Sequence, residues 1–170
     1  NRSLAVGVSA EADGVCSMAV GYSAQATAEN SIAIGDSSNA SALDAIAIGQ
    51  STLASNTNSI AIGTTAQATS GNALAVGDNA KASNTNATAI GQQALSKGVN
   101  SSAFGLDARA TGTDTTSLGK ASRAKEYGST AVGHFARANA TKTIALGGGS
   151  LADQGFAVAI GQQSQATGTN

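Results

Sequence analysis

A glycine recurs every 14 residues along this 170-residue chain, twelve times with no insertion or deletion. The glycines are Gly7, Gly21, Gly35, Gly49, Gly63, Gly77, Gly91, Gly105, Gly119, Gly133, Gly147 and Gly161. An unbroken short period marks a repeat architecture and leaves few folds open. With each Gly taken as position 0, position −1 is always bulky and apolar, as in Val6, Ile34, Ile62, Ile90, Phe104 and Ile160. Position −2 is Ala in eleven repeats and Ser117 in the other. Position +5 is Ala in eleven, with Ser96 the exception, and position +3 is Ala, Ser or Thr throughout. Position −5 is mostly Asn or Asp: Asn30, Asp44, Asn58, Asn72, Asn86, Asn100, Asp114 and Asn170.

Fourteen residues are too few for a helical repeat, which usually needs 30 or more. The glycines, the β-branched residues and the Asn-Ser and Gly-Asn pairs also oppose long helices. Two strands of about four or five residues joined by two turns fit the period. The expected strands cover roughly positions −4 to −1 and +2 to +6. Asn, Asp and Gly near −5 and +7 supply turns that tolerate positive φ. Each repeat then forms one coil, and coils stack in parallel at about 4.8 Å. The fold class is all-β, a parallel β-roll of twelve 14-residue coils over residues 1–170. The expected structural residues are the glycines, such as Gly35, Gly63 and Gly91, with their partners Ile34, Ile62 and Ile90. Gly at position 0 permits a tight bend or a close backbone approach. Hydrophobic residues make up 41% of the chain, but Ala dominates and Pro is absent, so the core must be thin and repetitive.

Strand alternation places −3 and −1 on one face, −2 and 0 on the other. In the first six repeats −3 is Leu4, Met18, Ile32, Ile46, Ile60 and Leu74, and neither face of this strand carries a charge. One roll covers a single face, so the other wants a partner chain, and a homo-oligomer is favoured. Alternation does not decide which face looks inward. Size favours −1 inward with Ala at −2 toward the partner; the reverse stays open. Position −3 turns polar at Thr88, Ser102, Thr116 and Thr130, read as drift at a partly buried position.

Charge divides the chain. Residues 1–80 hold six acidic and one basic residue; residues 81–170 hold four acidic and eight basic. Arg109, Arg123 and Arg137 all fall at position +4, with Lys81 in the same column two coils earlier. Parity with +3 and +5 puts this column on the solvent face, a candidate docking ladder for an acidic partner such as a sulfated glycan or phosphate-rich surface. Ordinary solvation, with Glu126 and other acids nearby, is the competing reading. Nucleic acid is disfavoured by near-neutral total charge and few aromatics. One His, His134, and one Cys, Cys16, rule out a His-rich metal site and an internal disulfide framework. Cys16 reads as an unpaired structural side chain and His134 as a surface residue. Tyr22, Tyr127, Phe135 and Phe156 are scattered and expected at turns or edges. No nucleophile–base set, metal cluster or cofactor motif recurs in register, so no enzyme and no cofactor are expected. No apolar run is long enough for a spanning helix and no signal peptide is visible. The chain begins and ends in repeat sequence, which reads as a piece of something longer.

The segment Asn-Ser-Ile-Ala-Ile-Gly at 30–35, repeated at 58–63, resembles the repeat signature of YadA-like heads of trimeric autotransporter adhesins. The resemblance runs through all twelve repeats. It is strongest at 31–35, 59–63 and 157–161 and weakest at 101–105 and 115–119, where −3 is polar. It implies a left-handed β-roll, three of which pack side by side as a homotrimer. It also implies display on a bacterial surface, with outer-membrane anchoring by a C-terminal region outside this sequence. The implied function is adhesion to host cells or to collagen, fibronectin or laminin, with autoaggregation. A β-solenoid segment of a phage or virion fibre, or a passive spacer within an adhesin, is the alternative.

Overall fold

The structure, a computed structural model, describes residues 2–168; Asn170, counted above at position −5, lies outside the described residues. The chain winds as stacked coils. Each coil contributes one strand at −3 to −1, such as Ile32–Ile34, and one at +4 to +5, such as Asn39–Ala40. The strands are shorter than the sequence suggests. They form two twelve-stranded parallel sheets, each strand pairing with those 14 residues away, as in Ile32↔Ile46 and Asn39↔Leu53.

The two turns of a coil are built alike. In the first, the N–H at +3 donates to the carbonyl of Gly at position 0, as Ala66 does to Gly63 at 3.2 Å. In the second, the N–H at −4 donates to the carbonyl at +7, as Ser59 does to Asn56 at 3.0 Å. The third residue of each turn, at +2 and at −5, has positive φ in every described coil. A coil is therefore two seven-residue halves, each a turn followed by a strand. The expectation of positive φ at −5 agrees with this; the one at +7 does not. The second left-handed site is +2, where Ser9, Thr65, Ala121 and Phe135 give no conformational signal in the sequence. The left-handed residues also donate their N–H groups to the preceding coil, as Ser37 to Tyr22 at 2.8 Å and Asn30 to Val15 at 2.9 Å. The backbone ladder thus runs on around the turns. This matters because unpaired backbone groups are costly.

The faces are the reverse of what size favours. Positions −4, −2, +3 and +5 point between the sheets. Alanines such as Ala33, Ala47, Ala26 and Ala40 are fully buried there. No residue at −3 or −1 is buried; Ile62 is 38% exposed. Ile34, Ile62 and Ile90 therefore lie on the outer face and do not fill the interior. The physical reason is the gap. Two four-residue turns leave it so narrow that the largest fully buried side chains are Thr52, Thr115 and Thr143. Most buried hydroxyls at −4 and +3 are satisfied by their own turns, as Ser101 Oγ to Gly98 O at 2.7 Å and Thr52 Oγ1 to Gly49 O at 2.9 Å; the Ser129 hydroxyl is the exception and has no partner. The two exceptions to the Ala columns follow the same rule. Ser96 lies 2.5 Å from the Ser101 hydroxyl, and Ser117 lies 2.7 Å from Ser122. These pairs divide the alanine core into three stretches.

Gly at position 0 has no substitute in this stacking. Gly63 has φ +123°, and a Cβ there would sit 2.6 Å from the carbonyl oxygen of Gly77 in the next coil. Along the second turn a side-chain ladder adds support. Asn72 Nδ2 donates to Asn86 Oδ1 at 3.2 Å, Asn86 to Asn100 at 3.0 Å, and Asn100 to Asp114 at 3.0 Å.

Gly63→Ala should lower unfolding stability by about 2 kcal/mol or more, since neither the backbone angle nor the next coil accommodates a methyl group. Gly71→Ala, where the nearest atom to a new Cβ is Asn56 Oδ1 at 4.0 Å, should stay within about 0.5 kcal/mol. Urea unfolding followed by circular dichroism compares the two. Equal losses would contradict the role given to position 0.

Candidate functional site

Outward side chains fall into columns whose chemistry differs between the sheets. The first sheet presents −3 and −1, apolar in most coils. The second presents +4, flanked by +6, and both are largely polar. Register puts Arg109 beside Arg123 and Arg123 beside Arg137, with steps of about 4.8 Å. All three are exposed, and so is Lys81. Lys81 pairs with Leu95, which pairs with Arg109, so an apolar residue separates Lys81 from the arginines.

The three arginines line one shallow open groove with Lys125, Thr111 and Asn139 over a floor at Ala124. Lys81 lines an adjoining depression with Leu95, Asp107 and Arg109, so Arg109 borders both. Among the described residues the one ion pair is Arg109 with Asp107. Nε and Nη2 both donate to Oδ1, at 3.1 and 3.0 Å. Glu126, named above as a neutralising neighbour, makes no such pair. Asn139 donates its amide to the Asp153 carboxylate, and Thr111 Oγ1 donates to the Lys125 carbonyl at 3.1 Å. Arg123, Arg137 and Lys125 thus present positive charge without a carboxylate partner. Lys125 and Asn139 stand at +6, beside the +4 column, and that parity was the available signal for them.

Tyr22, Tyr127, Phe135 and Phe156 lie on turns, while Phe104 ends the strand Ser102–Phe104. Phe135 and Phe156 adopt φ +59° and +64° and are 46% and 66% exposed. Lys142 Nζ lies 5.9 Å from the Tyr127 ring centroid and 5.6 Å from that of Phe156, within cation–π range. His134 is exposed and its ring centroid is 4.1 Å from that of Phe135. Cys16 is unpaired and exposed at a left-handed turn, φ +57°. Among the described residues no group of three or more His, Cys, Asp or Glu is placed to hold a metal ion. Among the described residues no helix is long and apolar enough to cross a membrane.

Two stacked sheets with contrasting outer faces define a repetitive β-solenoid scaffold. Its repeats match the family described as YadA head domain repeat (2 copies). The matches cover residues 1–24, 12–38, 26–52, 40–66, 54–80, 68–94, 96–122, 124–150 and 156–170. The chain belongs to this family. No curated protein matches it. Among solved structures it is similar to the crystal structure of the collagen-binding domain of the Yersinia adhesin YadA. Identity is 25% and the TM-score is 0.30, over 93% of this chain and 65% of that one. This chain therefore spans 65% of the length of that structure.

The Cys16 thiol should react stoichiometrically with a thiol reagent in the folded protein, at a rate near that of a free thiol, leaving the circular dichroism spectrum unchanged. Reaction only after denaturation would contradict its exposed place on the turn.

Proposed function

We propose that the chain forms the head of a trimeric autotransporter adhesin on a bacterial cell surface. Three left-handed rolls pack side by side through the outer face of the first sheet. The observation that carries this reading is the unpartnered face itself. Positions −3 and −1 put Ile32, Ile34, Ile46, Ile48, Ile60 and Ile62 in consecutive rows, all of them only partly covered within one chain. Contiguous apolar surface of this extent marks an interaction site on a soluble protein. Fully burying such a side chain from water is worth about 1.5–3 kcal/mol, and covering the part still exposed here recovers a share of that for each residue in the rows. The second sheet needs no such cover. Family membership supports the trimer, the handedness and the anchoring of the head in the outer membrane by a C-terminal region outside this chain.

A rigid rod presenting its second sheet three times over suits adhesion, because weak contacts repeated in one assembly gain avidity. The ligand is a host cell-surface receptor or a matrix protein, with collagen, fibronectin and laminin the first to test. Lys81, Arg109, Arg123 and Arg137 are the candidate contact residues on that sheet.

Sedimentation equilibrium should give three times the 16.3 kDa chain mass. Ile62→Asp should break the trimer into folded or partly folded single chains, since a desolvated carboxylate without a partner costs several kcal/mol. A wild-type monomer across the micromolar range would overturn the interface. Failure of the trimer to bind any of the three matrix proteins or host cells would overturn the adhesin reading.

A further inference from the structure

The groove on the second sheet has a composition that selects among acidic ligands. Its arginines stand in register on three successive coils, so like charges lie about 4.8 Å apart and repel. A counter-ladder of anions relieves that repulsion. Arg guanidinium forks suit oxyanions, which they bind in bidentate fashion. The groove's lining holds no large apolar or aromatic side chain to receive a peptide side chain or stack a base; Phe135 lines the next depression, beside Arg137. Acids close both ends: Asp107 holds Arg109, and Asp153 holds Asn139. The uncompensated charge therefore centres on Arg123, Arg137 and Lys125. The column from Arg109 to Arg137 covers two coil steps, about 10 Å.

We propose that this groove binds a short stretch of a linear sulfated glycan, laid along the axis of the rod. Arg123 and Arg137 engage sulfate groups from the +4 column and Lys125 engages them from the +6 column. Arg109 contributes less because Asp107 already occupies its fork. Lys81 contributes little, being separated by Leu95 and lining an adjoining depression that shares only Arg109 with the groove. The site is complete within one chain. The inference rests on the adhesin reading for its biological setting, and it gives that reading a ligand class.

The test measures binding of a fluorescent heparin oligosaccharide to the whole chain over a range of salt concentrations. Wild type should bind, with affinity falling steeply as salt rises, and desulfated oligosaccharide should bind at least tenfold more weakly. The double variant Arg123→Ala with Arg137→Ala should lose at least tenfold in affinity and show a shallower salt dependence. Lys125→Glu, which alters a single exposed side chain, should reproduce the loss in a second background. Lys81→Ala should change affinity less than twofold, and Asp107→Asn should raise it. Circular dichroism checks that each variant keeps the wild-type fold. The proposal is overturned if wild type does not bind, or if the folded double variant binds as wild type does. It is also overturned if Lys81→Ala costs as much as the double variant, or if a single-stranded oligonucleotide or acidic peptide of equal charge binds as tightly as heparin. Matrix-protein binding by the same preparations separates the two readings. Binding to a matrix protein without heparin sinks this proposal alone, while heparin binding through the groove without any matrix protein or host cell sinks the adhesin reading alone.

Discussion

The width of the gap between the two sheets controls the rest of the molecule. Each half-coil is one turn and one short strand, so the sheets close on side chains no larger than threonine. Ala at −2 and +5, and Ala, Ser or Thr at −4 and +3, fill that gap almost everywhere along the stack. The interior holds little apolar bulk, and hydrophobic burial within one chain is correspondingly modest. Stability then leans on the backbone ladder, which continues through both turns, and on close coil approach at Gly of position 0. Buried hydroxyls are tolerated because a turn carbonyl lies within reach of each column, as for Ser38 and Gly35 at 2.9 Å. The pairs at Ser96 and Ser117 show the same economy where the pattern departs from Ala.

A narrow interior sends every bulky residue outward. The two halves of a coil share a turn hydrogen bond and a left-handed third residue but differ at the first turn residue, where only Gly at 0 has positive φ, and in what they export. One carries Ile, Val and Leu at −3 and −1; the other carries polar or charged residues at +4 and +6 in most coils. One side of the roll therefore asks for a partner chain and the other stays in water. The basic groove lies on the wet side, where packing does not constrain residue type. That freedom explains why Glu11, Gln25, Leu53 and Arg123 can share one column without disturbing the coil.

Much of this architecture is legible in the sequence. The unbroken 14-residue spacing gives coil number, strand pairing and the register of the arginine column directly. The orientation of the first strand is not legible, because alternation is unchanged when its two faces are exchanged. Only the actual gap decides, and it rejects Ile34 and Ile62. The seven-residue half-period is hidden for a related reason: matching backbone positions carry unlike outward residues. The left-handed site at +2 is missed because Ser, Thr and Ala there do not announce positive φ, whereas Asn at −5 does. At the groove, column membership is readable from spacing alone. The capture of Arg109 by Asp107, two residues away across a strand start, requires the folded surface, whereas Leu95 between Lys81 and Arg109 is readable from the same spacing.

The inward placement of −2 against the outward placement of −3 is the claim on which these conclusions rest. Urea unfolding of Ala75→Leu beside Thr88→Leu tests it most directly, since both add apolar bulk to neighbouring strands of the first sheet. Ala75 is fully buried between the sheets, so its replacement should cost about 3 kcal/mol or abolish folding. Thr88 lies on the outer face, so its replacement should leave stability unchanged or raised. An Ala75→Leu chain as stable as wild type, with Thr88→Leu destabilised, would contradict the account.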